Sequence, residues 1–104
     1  MFNLKSLVSL SAAVILLFTQ SVVADEALAK SKNCLACHTM DAKLIGPSYK
    51  EVAAKYKGDA NAVATLTAKV KNGGSGVWGE MPMPPNSAVS DADIETLVKW
   101  ILSL

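Results

Sequence analysis

The sequence has no arginine, one histidine and two cysteines, and its two phenylalanines, Phe2 and Phe18, both stand before residue 25. Each shortage excludes a class. Ten lysines against nine acids leave a formal charge of +1, with no basic stripe of the kind a nucleic-acid binder needs. Two cysteines cannot build a dense disulfide scaffold. Two cysteines and one histidine also fall short of the four ligands of a structural zinc site. No stretch alternates apolar and polar residues for long enough to announce a strand. With 104 residues, the chain has room for one domain and no multidomain enzyme.

What is plentiful is apolar residue, 51% of the chain, and much of it sits at the start. Lys5 and the α-amino group precede an apolar run from Leu7 to Phe18, and Val22 and Ala24 place small side chains at the −3 and −1 positions of a cleavage site. The run is short for a membrane span and has the layout of a secretory signal peptide. The expectation is a cleaved leader over 1–24 and one domain over 25–104, with no membrane insertion after cleavage. A remainder this small, without phenylalanine, calls for a staple: a disulfide, metal, cofactor or partner.

The periodicity of 25–104 is helical. A short helix is expected over about 26–33. Gly46-Pro47-Ser48 marks a turn into a second, where Tyr49, Val52, Ala53 and Tyr56 share a face until Gly58 stops it. Val63, Leu66, Thr67 and Val70 repeat the spacing, and Asn72-Gly73-Gly74 closes the third. Ser90 and Asp93 cap a fourth carrying Ile94, Leu97, Val98, Ile101 and Leu102. The first and last helices are expected to cross with Leu28, Ile94, Leu97, Val98 and Ile101 between them, and Trp100 reads as core. Between 74 and 90, six glycines and prolines predict a loop without regular structure, and a loop of that length is usually functional.

The chemistry lies in Cys34-Leu35-Ala36-Cys37-His38, the C-x-x-C-H attachment signature of c-type haem. Two thiols one turn apart reach the two haem vinyls, and the histidine beside them falls under the iron. A thioredoxin-like dithiol would need a βαβ context that is absent; a plain disulfide would leave His38 without a role. With a single histidine, a bis-histidine haem within one chain is excluded. The other axial ligand then has to be something else, or nothing. Met40 is two residues from His38 and cannot reach the opposite face of the ring. Met81 and Met83 both lie in the stiff stretch Glu80-Met81-Pro82-Met83-Pro84-Pro85-Asn86, and spacing alone does not choose between them.

Residues 25–104 resemble the bacterial cytochrome c-551/c-552 family, small class I cytochromes c. The likeness is carried by Cys34–His38, Ile45-Gly46-Pro47-Ser48-Tyr49, Val52–Tyr56, Lys71–Gly79 with its Gly-Val-Trp-Gly, Pro82-Met83-Pro84-Pro85-Asn86 and Trp100-Ile101-Leu102. It implies an all-α fold of four to five helices wrapped around one haem c, covalently bound through Cys34 and Cys37. It implies His38 and Met83 as axial ligands and the Pro47 carbonyl as acceptor for His38. It further implies Trp78 as a donor to a haem propionate and Asn86 as a donor to the methionine sulfur. The function implied is a soluble, monomeric, periplasmic one-electron carrier. Its partners would be periplasmic or membrane-attached redox proteins: a cytochrome bc1-type donor, and a nitrite reductase, terminal oxidase or peroxidase as acceptor. Lys30, Lys32, Lys43, Lys50, Lys55 and Lys57 would steer an acidic partner if they ring the haem edge. A small haem peroxidase or gas-binding protein with a displaceable methionine is the alternative, although the one histidine is already used and no distal acid–base group remains.

Overall fold

The computed structural model describes residues 22–104. The expected leader lies outside the described residues, save that Val22–Ala24 open the first helix. Four helices follow in order: α1 Val22–Ser31, α2 Tyr49–Lys55, α3 Ala62–Asn72 and α4 Asp91–Leu102, with a single 3-10 turn, Cys34–Ala36, between α1 and α2. Among the described residues there is no strand, only one isolated antiparallel bridge, Gly74 to Met83.

Local chemistry accounts for the ends of these helices. Asn33 takes the left-handed conformation (φ 64°) between α1 and the cysteine turn, a state that asparagine tolerates better than most residues. Ser48 starts α2 with a complete capping box. Its Oγ accepts from the Glu51 N–H at 3.1 Å, and Glu51 Oε2 accepts from the Ser48 N–H at 3.2 Å. At α4 only half of the expected box forms: Ser90 Oγ accepts from the Asp93 N–H at 3.2 Å. The shorter Asp93 carboxylate turns instead to Lys32, 3.8 Å away. Gly73 ends α3 at φ 70°.

α4 is the central helix, packed by each of the other three. Its apolar residues divide between two clusters. Leu97 and Trp100 join Ala29 and Tyr49, with Leu28 against them. Ile94 and Val98 lie with Val52 and Leu66 of α2 and α3, and Ile101 touches both clusters. The expected α1–α4 crossing therefore holds for Leu28, Leu97 and Ile101. Ile94 and Val98 face the other way, because the apolar arc of α4 is wide enough to serve two neighbours. The two tyrosines separate in the same manner: Tyr49 enters the first cluster and Tyr56, just past the end of α2, packs against the second. Full burial of an aliphatic side chain contributes about 1.5–3 kcal/mol, so Ile94 and Val98, essentially sealed from solvent, anchor α4 on α2 and α3.

Candidate haem-binding site

Two segments on either side of α2 and α3 build the site. The first joins the cysteine turn to the entry of α2. His38 N–H and Cys37 N–H both return to the Cys34 carbonyl, at 3.0 and 3.2 Å, which winds the two thiols and the imidazole into one tight turn. The chain then doubles back: Gly46 N–H donates to Cys37 O (2.8 Å), Tyr49 N–H to Thr39 O (2.9 Å) and Lys50 N–H to Met40 O (3.2 Å). This return brings Gly46-Pro47-Ser48-Tyr49 against the histidine.

Three of those four residues touch the ring. His38 Nδ1 lies 2.8 Å from the Pro47 carbonyl oxygen. Since a carbonyl only accepts, Nδ1 carries the proton and Nε2 keeps its lone pair for a metal. Tyr49 stacks on the imidazole with centroids 5.3 Å apart and planes 20° from parallel. A Cβ at Gly46 would stand 2.5 Å from His38 Cε1 and 2.8 Å from Nδ1, so only glycine leaves room for the ring. Gly46 read in sequence as a turn residue; its second role as a wall beside the imidazole becomes visible only in three dimensions. Cys34 and Cys37 are both free thiols and half-buried. Burial pushes the Cys34 thiol up, partly offset by the Tyr49 hydroxyl, and burial raises the Tyr49 phenol as well.

The second segment is the glycine- and proline-rich loop, and it is more ordered than its composition implies. Gly74 N–H donates to Met83 O (3.0 Å) and Met83 N–H to Gly74 O (2.8 Å). Gly76 N–H closes a turn on Gly79 O at 2.8 Å. The contact is close because residue 73 has no side chain: a Cβ there would run into the Met83 carbonyl oxygen and stand 2.8 Å from Pro85 N. Met83 is thereby clamped to the end of α3, whereas Met81 is 68% exposed. Asn86 donates its backbone N–H to Val70 O (3.1 Å) and its amide to Val70 O (3.1 Å) and Pro84 O (3.3 Å). Its amide therefore serves two carbonyls; a bond to the Met83 sulfur is not among its contacts. Lys71 continues the fastening, with Nζ donating to Ser87 O and Val89 O at 3.3 and 2.9 Å and lying 3.2 Å from Asp91. Trp78 is 39% exposed, with the Lys55 ammonium 5.5 Å from its ring centroid.

This donor set fits a haem better than a bare ion. No group of three or more His, Cys, Asp or Glu gathers among the described residues. A single imidazole with a free Nε2, flanked by two unoxidised thiols, matches a metal whose other ligands arrive with a ring. The polypeptide also leaves Leu44, Ile45, Val77, Trp78 and Met81 exposed. All five lie on the two segments just described, and a flat apolar ring would cover surface of this kind. Sequence reasoning read Gly73 as a helix stop and missed its packing on the Met83 loop, the Lys71 contacts to Ser87 and Val89, and Tyr49's stacking on His38. The Ser48–Glu51 box was signalled by S-x-x-E, but the other three depend on contacts between distant stretches.

Comparison with known proteins agrees with this geometry. The family described as cytochrome c matches residues 24–104. Cytochrome c-551 of Pseudomonas aeruginosa is 58% identical over 78 residues, covering 75% of this chain and 74% of that protein. Cytochrome c-552 of Nitrosomonas europaea is 50% identical over 93 residues, 89% of this chain and 90% of that one. The crystal structure of the wild-type Nitrosomonas protein superposes with a TM-score of 0.74 at 52% identity, covering 76% of this chain and 98% of that one.

Proposed function

The chain belongs to the cytochrome c family, as a small monohaem electron carrier with haem c bound through Cys34 and Cys37, and from that premise we propose a periplasmic carrier whose iron is ligated by His38 and Met83. The leader over 1–24 directs it out of the cytoplasm and is removed; no described helix is long and apolar enough to cross a membrane.

The haem supplies a one-electron iron couple; the chain's residues decide its character. Pro47 O holds the Nδ1 proton of His38, which orients the ring and strengthens Nε2 as a donor. Met83 offers a neutral thioether, which favours ferrous over ferric iron and raises the potential. With His38 and Met83 as its two protein ligands, a bound haem iron would have no position left for oxygen, peroxide or substrate. A haem held there would supply outer-sphere one-electron exchange with partners held by a small, transient interface. Trp78 would offer its indole N–H to a propionate, and Asn86 would donate to the Met83 sulfur only by giving up one of its present contacts, to Val70 O or Pro84 O. The partners are periplasmic or membrane-attached redox proteins, of the class of a bc1-type donor and of a nitrite reductase, terminal oxidase or peroxidase as acceptor.

The single observation that carries the ligand assignment is the reciprocal pair of hydrogen bonds between Gly74 and Met83. It fixes the backbone of one methionine and leaves its neighbour at 81 in solvent. Visible spectra of purified holoprotein in both redox states test the proposal. The expected result is a low-spin haem c with the sulfur-to-iron charge-transfer band in the ferric form, lost in Met83→Ala together with a gain of carbon monoxide binding. A five-coordinate resting spectrum, or one unchanged by Met83→Ala, overturns it.

A further inference from the structure

Outside the ligand set, one sealed side chain bridges the histidine and the central helix. Tyr49 is 3% exposed. Its ring stacks on His38 and meets Trp100 of α4 edge to face, with centroids 5.5 Å apart and planes at 76°. The Gly46 backbone also stands against the imidazole, with space for no Cβ. The ring is thus held by two close contacts and one hydrogen bond, from Nδ1 to Pro47 O. A single hydrogen bond still allows the imidazole to swing about the Nδ1···O line; the contacts with Tyr49 and Gly46 restrict that swing.

The swing matters at a haem. An axial imidazole exchanges π density with iron along the normal to its own plane, so the direction of that plane sets the split between the two iron dπ orbitals. We propose that Tyr49 is a positioning residue: with Gly46 it fixes the plane of the His38 imidazole, and Trp100 braces it from behind. The inference rests on His38 as the iron ligand. The Trp100 Nε1–H is buried without an acceptor among the described residues, so the indole contributes its flat edge here rather than a hydrogen bond. Trp100 belongs to α4, which also holds α1, α2 and α3. The orientation of the axial ring is thereby tied to the central helix as well as to the loop beside it.

The test uses ferric holoprotein, wild type, Tyr49→Phe and Tyr49→Leu, read by the spread of the paramagnetically shifted haem methyl proton signals and by the g-value spread in frozen solution. Phenylalanine keeps the ring and is expected to keep the wild-type pattern. Leucine removes the wall, and the methyl spread is expected to narrow as the imidazole samples a range of planes, with the charge-transfer band retained. An unchanged pattern in Tyr49→Leu, or an equal change in Tyr49→Phe, overturns the proposal. If the leucine variant does not hold haem, the nuclear Overhauser contacts of the ferrous wild-type protein decide. Cross-peaks between the Tyr49 and His38 ring protons, with an unchanged phenylalanine variant, uphold the proposal, and their absence overturns it. Failure of the ligation proposal is seen separately, as a wild-type spectrum without the charge-transfer band.

Discussion

At the residue scale, two glycines carry as much of the site as the ligands do, and for different reasons. Gly46 needs space, because its neighbour is the side chain of His38. Gly73 needs both space and a left-handed backbone, because its neighbours are backbone atoms of Met83 and Pro85 that cannot step aside. The two substitutions should therefore fail differently. Gly46→Ala displaces a ring that is hydrogen-bonded to Pro47, and overpacking of this sort costs about 1–3 kcal/mol. The expected result is a holoprotein of lower denaturant midpoint with a high-spin fraction. Gly73→Ala pushes the Met83 loop off the end of α3. The charge-transfer band should then be lost at lower denaturant than the helical signal, two transitions where the wild type shows one. Gly58→Ala is the control: its φ is +79° with open space around it, so only the left-handed penalty of about 1–2 kcal/mol applies and the band should follow the helices.

At the scale of elements, the legible part was whatever the chain settles over a few residues. Cys34 to His38 is a single turn, so spacing alone placed two thiols and an imidazole together. The helix faces of α2 and α3 and the stops at Gly58 and Gly73 are also local. The division of α4 was not legible, because an apolar arc does not say how many neighbours it serves. The loop from 74 to 90 looked structureless because glycine and proline remove local preferences; its order comes from partners on α3. Val70, Lys71, Gly73 and Gly74, all at the end of that helix, hold Asn86, Ser87, Val89 and Met83. Lys71 is the test of that latch. Its ion pair with the well-exposed Asp91 adds little, but its two carbonyl contacts join the loop to the helix. Lys71→Met should leave the overall midpoint nearly unchanged while the Asn86 amide exchanges its hydrogen faster, since local opening is read there. On the other side of the site, Ser48 is a fully buried cap. Ser48→Ala should cost about 1 kcal/mol, measured by chemical denaturation, with the Tyr49 entry loosened.

At the scale of the whole molecule, the question is whether the polypeptide can hold itself together. Its helices bury two modest clusters that share α2 and α4. The cysteine segment and the methionine loop are tied to α2 and α3, yet they leave Leu44, Ile45, Val77, Trp78 and Met81 in water. There is no phenylalanine after residue 18, and the large apolar side chains these segments do carry are left uncovered by the rest of the chain. A domain of this size buries only about 60% of the surface its unfolded chain exposes and is correspondingly marginal. A bound haem would remove that deficit twice, by covering apolar surface on these segments and by its covalent bonds to Cys34 and Cys37. Chain made without haem attachment, for example as Cys34→Ala/Cys37→Ala, should therefore lose most of its helical circular dichroism at neutral pH, whereas holoprotein keeps it. A native-like helical spectrum with a cooperative melt in the haem-free variant would mean that α1 to α4 suffice by themselves. The site would then be a pocket in a preformed fold rather than the group around which the fold closes.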